Sequence, residues 1–94
     1  MQPAWTLLAK QRVLEIRAEI AKDNEAAVAR TIGKIRAAVK RLEQHPHCGR
    51  PGRIAGTREL VVSGTPYLIP YQLFKNTVEI LSVVHGRQRW PQRF

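Results

Sequence analysis

The stretch VVHGRQRWP, at positions 83–91 of this 94-residue chain, sets His85, Arg87, Arg89 and Trp90 almost side by side. An imidazole that titrates near neutrality can move a proton, and guanidiniums can hold a phosphate and the charge that develops on it as a ribose hydroxyl attacks. A plainer reading is a strand-end histidine satisfied by backbone, with solvated arginines. Trp90, beside cations, offers either a stacking platform for a nucleobase or a means of packing the end of the chain on the core.

A second cluster lies in the middle of the chain. Arg50, Arg53 and Arg58, interleaved with Gly49, Gly52, Gly56 and Pro51, form a stiffened loop carrying forked cations, which suits phosphate or carboxylate recognition. The alternative is a turn-rich connector kept soluble by arginine. Glu59, the only acid between Gln44 and Asn76, could act as a general base or pair with Arg58, and the pair is the preferred expectation. His45, His47 and Cys48 invite a metal, but ligands usually come with a second pair at similar spacing, and His85 is the only remaining histidine. No metal and no cofactor are expected, and Cys48 should be a free thiol.

Composition narrows the partners. Lys and Arg number 16 against 7 acids, a net charge of +9 and a pI near 10.9, which favours polyanions or an acidic protein. The bases and acids of residues 1–44 interleave like a solvated helix face, whereas the arginines of 50–58 and 85–94 are almost free of acids and read as anion-contact surface. A chain of 94 residues has material for one core, so one domain spanning 1–94 is expected. One cysteine excludes an internal disulfide, and the sequence carries no apolar run of about 18 residues and no secretory leader. The expectation is a soluble cytoplasmic protein with no membrane partner. A DNA-binding or architectural module is disfavoured, because neither helix gathers bases on one face beside a turn suited to groove entry.

The elements that must position these residues follow from periodicity. Residues 2–6 suggest a short, irregular opening strand, with Pro3 at an edge. Val13, Ile16 and Ile20 predict an amphipathic helix over about 7–22, and Val28, Ile32, Ile35, Val39 and Leu42 predict a second one. Asp23 or Asn24 should cap the second helix or turn the chain between the two, giving an antiparallel hairpin. From Thr57 onward come three β-rich runs, TRELVVS, PYLIPYQLF and TVEILSVVH, with gaps short enough for hairpins. The expected fold class is α+β: an antiparallel sheet in the order β-α-α-β-β-β with the helical hairpin on one face. Pro70 cannot donate to a ladder, so a bulge or an edge is expected there. Tyr67 and Tyr71 share a strand face and are expected to pack in the core or across strands. Strict alternation in the last strand places Val78, Ile80 and Val84 on one face and Leu81, Val83 and His85 on the other. If the first and last meander strands are antiparallel neighbours, Arg58 and His85 are neighbours as well.

Taken together, the helical hairpin ending in RLEQHPHCGRPGR, the strands GTRELVVSGTPYLIPY and the closing VEILSVVHGRQRWP resemble the RelE/ParE superfamily of bacterial type II toxin-antitoxin toxins, over nearly the whole chain. The resemblance implies a growth-inhibiting toxin neutralised by a small acidic antitoxin, in a complex that could be heterotetrameric or larger, with operator DNA bound only through the antitoxin. RelE-like members cut mRNA on the ribosome without a metal, by helping the ribose 2′-hydroxyl attack the neighbouring phosphate. Carried over by position, Arg58 matches the family's strand arginine, Arg53 its loop base, and His85 and Arg87 its terminal basic site. The implied assignment has His85 moving the proton, Arg58 and Arg87 steadying the phosphate, Arg50, Arg53 and Arg89 anchoring RNA backbone, and Trp90 stacking. The tyrosine usual near the end of such enzymes is missing, and the indole of Trp90 has no phenolic proton to give. ParE-like members, which poison DNA gyrase and are not known as nucleases, often close with a similar histidine and arginine, as His85 and Arg89 do here. Ribosome-dependent mRNA cleavage is the leading expectation, and gyrase poisoning by binding is the alternative.

Overall fold

The computed structural model describes residues 2–94. Ala4–Trp5 form a short strand, β1, and Thr6 turns the chain into helix α1, Leu7–Asp23. Thr6 is extended (φ −69°, ψ 161°), and its Oγ1 accepts the Ala9 N–H at 3.1 Å, satisfying one of the amides that a helix start leaves unpaired. Ala9 and Ile16 are buried on the inner face of α1. Helix α2, Ala26–Gln44, follows after a connection of two residues and buries Ile32, Ile35, Ala38, Val39 and Leu42, the stripe that its spacing predicts. The expected side-chain cap from Asp23 or Asn24 is not made. Asn24 turns the chain with its backbone, its carbonyl accepting the Ala27 N–H at 3.0 Å, and Glu25 precedes α2 without a side-chain capping bond. Pro46 closes α2, since the residue before a proline is pushed out of the helical region, and His45 sits there at φ −132°, ψ 69°.

The remaining strands are β2 (Arg50–Pro51), β3 (Arg58–Val61), β4 (Tyr67–Phe74), β5 (Thr77–Ile80) and β6 (Val84–His85). The sheet order is β1-β5-β4-β3-β2, with β6 also on β4. The expected α+β class holds, with one correction: the sheet is mixed, because β1 runs parallel to β5, pairing Ala4 with Glu79 and Trp5 with Ile80. The β4–β5 hairpin turns on Lys75 and Asn76 at φ 49° and 61°, the left-handed pair that matches strand twist, with asparagine at one of the two strained positions. Leu60, Val62, Tyr67, Ile69, Tyr71, Val78, Ile80 and Val83 meet the helices in one core.

Central strand β4 contains Pro70, and the expected irregularity lies directly across from it. Tyr71 pairs with Ile80 and Leu68 with Val84, so two β4 residues, Ile69 and Pro70, face three, Leu81, Ser82 and Val83. Pro70 accepts the Leu81 N–H at 2.9 Å and has none to return. The extra residue reverses side-chain parity, which corrects the alternation expected for this strand. Val83 joins Val78 and Ile80 in the core, and His85, paired with Tyr67, follows it to the helix side.

A bulge leaves carbonyls without ladder partners, and α1 supplies them. Thr6 Oγ1 donates to the Leu81 carbonyl at 3.0 Å, and Arg12 Nε donates to the Val83 carbonyl at 3.0 Å. Thr6→Val keeps the shape but removes both the cap and the bulge contact. It should lower unfolding stability by about 1–2 kcal/mol, read as a lower urea midpoint at unchanged slope.

Candidate functional site

The sequence-predicted residues fall at two separate ends of β4. Arg58 pairs with Tyr71 and His85 with Tyr67, on opposite flanks of the strand. Four residues of β4 therefore separate their levels, roughly 13 Å along the strand at the usual rise. The expected neighbourhood of Arg58 and His85 does not form. Its premise fails because β4 stands between the first and last meander strands, which both run antiparallel to it and so parallel to each other.

At the Tyr71 end, the middle arginines are committed to holding their own loop. Arg58 Nη1 donates to the carbonyls of His47 at 3.2 Å and Gly49 at 2.9 Å. Tyr71, fully buried, donates its hydroxyl to the Pro46 carbonyl at 2.8 Å and accepts the Gly49 N–H at 2.9 Å. Gly49 is required by that approach, because a Cβ there would lie 2.6 Å from the tyrosine ring and hydroxyl. Glu59 does not pair with Arg58 as expected. It points to the other face of the sheet, 2% exposed, where Oε1 accepts from Arg50 at 3.2 and 3.3 Å and Oε2 accepts the Arg53 backbone N–H at 2.8 Å. The Arg53 guanidinium lies 3.7 Å from the same carboxylate. One buried acid thus gathers two arginines whose side chains remain 55% and 48% exposed. His45, His47 and Cys48 lie exposed in the connector before β2.

At the Tyr67 end, His85 faces α1. Its Nδ1 accepts the Arg87 N–H at 3.1 Å, and its ring meets Tyr67 edge-on at 5.8 Å. The turn is closed by Gln88, whose N–H donates to the His85 carbonyl at 2.9 Å and whose Oε1 accepts from the His85 N–H at 3.3 Å and from Arg12 at 3.5 Å. Arg12, Glu19, Tyr67, His85, Arg87 and Gln88 surround an open polar depression of about 500 Å³. Arg12 and Glu19 have no part in the sequence-based site, and Tyr67 is expected from sequence only as a packing residue. Arg12 had a signal: it sits three residues after Ala9 and four before Ile16, so a base falls on the buried face of α1. Arg87 and Arg89 are exposed. Trp90 is half-covered, with the Arg53 guanidinium 4.1 Å from its ring centroid and Phe94 edge-on at 6.1 Å.

A third feature is apolar. Trp5, Val13 and Leu14 on one side and Ile32, Ile35 and Val39 on the other line a groove of about 690 Å³, rimmed by Lys10, Arg17, Arg36, Lys40 and Glu43. Leu14 is 66% exposed there. A groove with an apolar floor and a mostly cationic rim fits an amphipathic acidic segment.

This fold is shared with a solved structure, described as the chromosomal ParDE TA system from P. aeruginosa, at a TM-score of 0.83 and 23% identity over 90% of this chain and 95% of that one. The sequence is also 51% identical over 88 residues to a protein of Sinorhizobium fredii named "Putative toxin Y4kP", covering 94% of this chain and 91% of that one. Residues 4–90 match the family described as ParE toxin of type II toxin-antitoxin system, parDE, and the chain belongs to that family.

Burial pushes the Tyr71 phenol above its ordinary value of 10.0, with Cys48 adding to the rise and the Gly49 bond and Arg58 opposing it. Burial likewise raises Tyr67, helped by Glu19 and opposed by Arg12. A raised tyrosine favours the neutral phenol in the folded state, so its contribution is complete below the unfolded value near 10 and is lost as pH rises through the folded value. Phenolate absorbance should show both tyrosines titrating above 10.0 in the native protein, with stability falling over that range. Tyr71→Phe strands the Gly49 N–H and Pro46 carbonyl and should cost about 1–3 kcal/mol. Glu59→Gln should cost about 1–2 kcal/mol by denaturant titration, below the figure for a fully buried pair because the half-exposed arginines regain water.

Proposed function

We propose that this chain, as one toxin domain over residues 1–94, inhibits growth by binding DNA gyrase and is neutralised by an acidic antitoxin that lies in the groove between α1 and α2. The observation that carries this reading is the separation of Arg58 from His85 along β4. Proton transfer at a phosphate needs the base, the phosphate and the stabilising cations within hydrogen-bond reach of one another. Here Arg58 is held by two carbonyls, Arg50 and Arg53 by Glu59, and His85 lies at the other end of the strand. Such a surface suits recognition better than phosphate chemistry, and membership of the ParE family points the same way. On this reading Arg50, Arg53, Arg87 and Arg89 give a positive surface for acidic partners, and operator DNA is reached only through the antitoxin.

The ribosome-dependent nuclease keeps one supporting observation. Tyr67 stands against His85 and supplies, from another strand, the phenol that the end of the chain lacks. Induction without antitoxin separates the two readings. Binding to gyrase predicts DNA breaks and SOS induction with intact ribosome-bound mRNA, and purified protein should raise the yield of gyrase-cleaved DNA. Cuts within codons on ribosomes, abolished by His85→Gln, would instead establish the nuclease. Under the gyrase reading, His85→Gln removes no proton-transfer step, and any loss of potency should follow a fall in gyrase affinity.

A further inference from the structure

The face of the sheet opposite the helices is partly covered by the chain's own last residues. Arg93 and Phe94 border a cavity of about 470 Å³ shared with Leu7, Leu8, Ile54 and Leu81. Among the described residues, Gly86 has the last backbone amide that donates to another segment, to the Pro66 carbonyl at 2.8 Å, and that of Gln88 only closes its own turn on His85. Beyond it, the described contacts are between side chains: Arg53 over Trp90 at 4.1 Å, and Trp90 against Phe94 at 6.1 Å. Docking also leaves the Trp90 Nε1 buried with no acceptor among the described residues. A cover that strands an indole N–H, spans unfilled space and is held without backbone bonds is balanced near release.

The contact at Arg53 is the adjustable one. Its backbone N–H holds Glu59 at 2.8 Å, which fixes the loop whatever the guanidinium does. The guanidinium itself is shared between that carboxylate, at 3.7 Å, and the Trp90 ring. Two arginines around one carboxylate leave positive charge unanswered. A second carboxylate offering Arg53 a short charge-assisted hydrogen bond competes with an exposed cation–π contact of comparable strength.

We propose that residues 89–94 are a strap over the open face of the sheet, latched by Arg53 on Trp90, and that an acidic chain segment releases it by drawing Arg53 away. Release opens the side of that cavity bordered by Arg93 and Phe94, where Leu81 is 8% exposed and Ile54 partly covered, beside Leu7 and Leu8, which are exposed already. The strap is a property of the folded chain and stands apart from the choice of cellular target.

Full-length protein carrying Trp5→Phe makes Trp90 the sole tryptophan. Its emission should be blue-shifted and shielded from acrylamide relative to the urea-unfolded chain. Arg53→Gln in that background, with unchanged far-UV circular dichroism, should raise the undocked fraction about 2- to 5-fold, the range a surface cation–π contact sets. Phe94→Ala should act in the same direction. Poly-L-glutamate should give a saturable red shift that salt reverses and that is lost with Arg53→Gln. Equal quenching of Trp90 in native and unfolded protein, indifference to Arg53→Gln, or no Trp90 response to poly-L-glutamate overturns the proposal.

Discussion

Pro70 occupies the middle of the central strand without an amide hydrogen, and the arrangement around it follows from that missing donor. The facing strand takes one residue more than β4 over the same span, and Leu81 gives its N–H to the proline carbonyl without receiving a bond in return. The carbonyls freed by the distortion are taken up by Thr6, at the N-cap of α1, and by Arg12, in its second turn. Helix position, sheet register and the orientation of the last strand are therefore one problem with one solution. The inward turn of His85 belongs to it too, since the added residue places that ring on the face where α1 lies.

The arginine-rich middle of the chain follows a different economy. An acid-free loop would repel itself on folding, and Glu59 relieves this from below the surface, giving its two oxygens to Arg50 and Arg53 while Arg58 turns to the connector's carbonyls on the other face. Tyr71 reinforces the same connector from the core. The positive field remains, because the two arginines paired with Glu59 stay half exposed, but the loop that carries them is held in place by that buried carboxylate. That division of labour explains how a basic surface can be rigid and still attract acidic chains.

Much of this was legible in the residues themselves. The apolar stripe of α2, the two helices, the hairpin at Lys75 and Asn76 and the difficulty at Pro70 all arise from local rules that act within a few residues. The opening strand was legible as a strand, but its parallel pairing with β5 was not, because partner choice across more than 70 positions has no local signature. His85 illustrates how a local rule can mislead. Alternation is reliable until one inserted residue inverts it, and no residue type announced where the insertion would fall. Glu59 is the opposite case, because plain alternation puts its sequence neighbour Arg58 on the other face of a strand, where adjacent side chains cannot meet. Arg12 was readable in principle, as a base on the buried side of an amphipathic helix.

The parallel pairing of β1 with β5 bears on how the protein comes into being. Thr6 and Leu81 are bonded across 75 positions, so the amino-terminal edge has no place to dock until the fifth strand has left the ribosomal tunnel. The helical hairpin can form early from contacts near in sequence, whereas closure of the sheet waits for most of the polypeptide. A growing chain would thus remain incomplete, and its basic face unassembled, through most of its own synthesis.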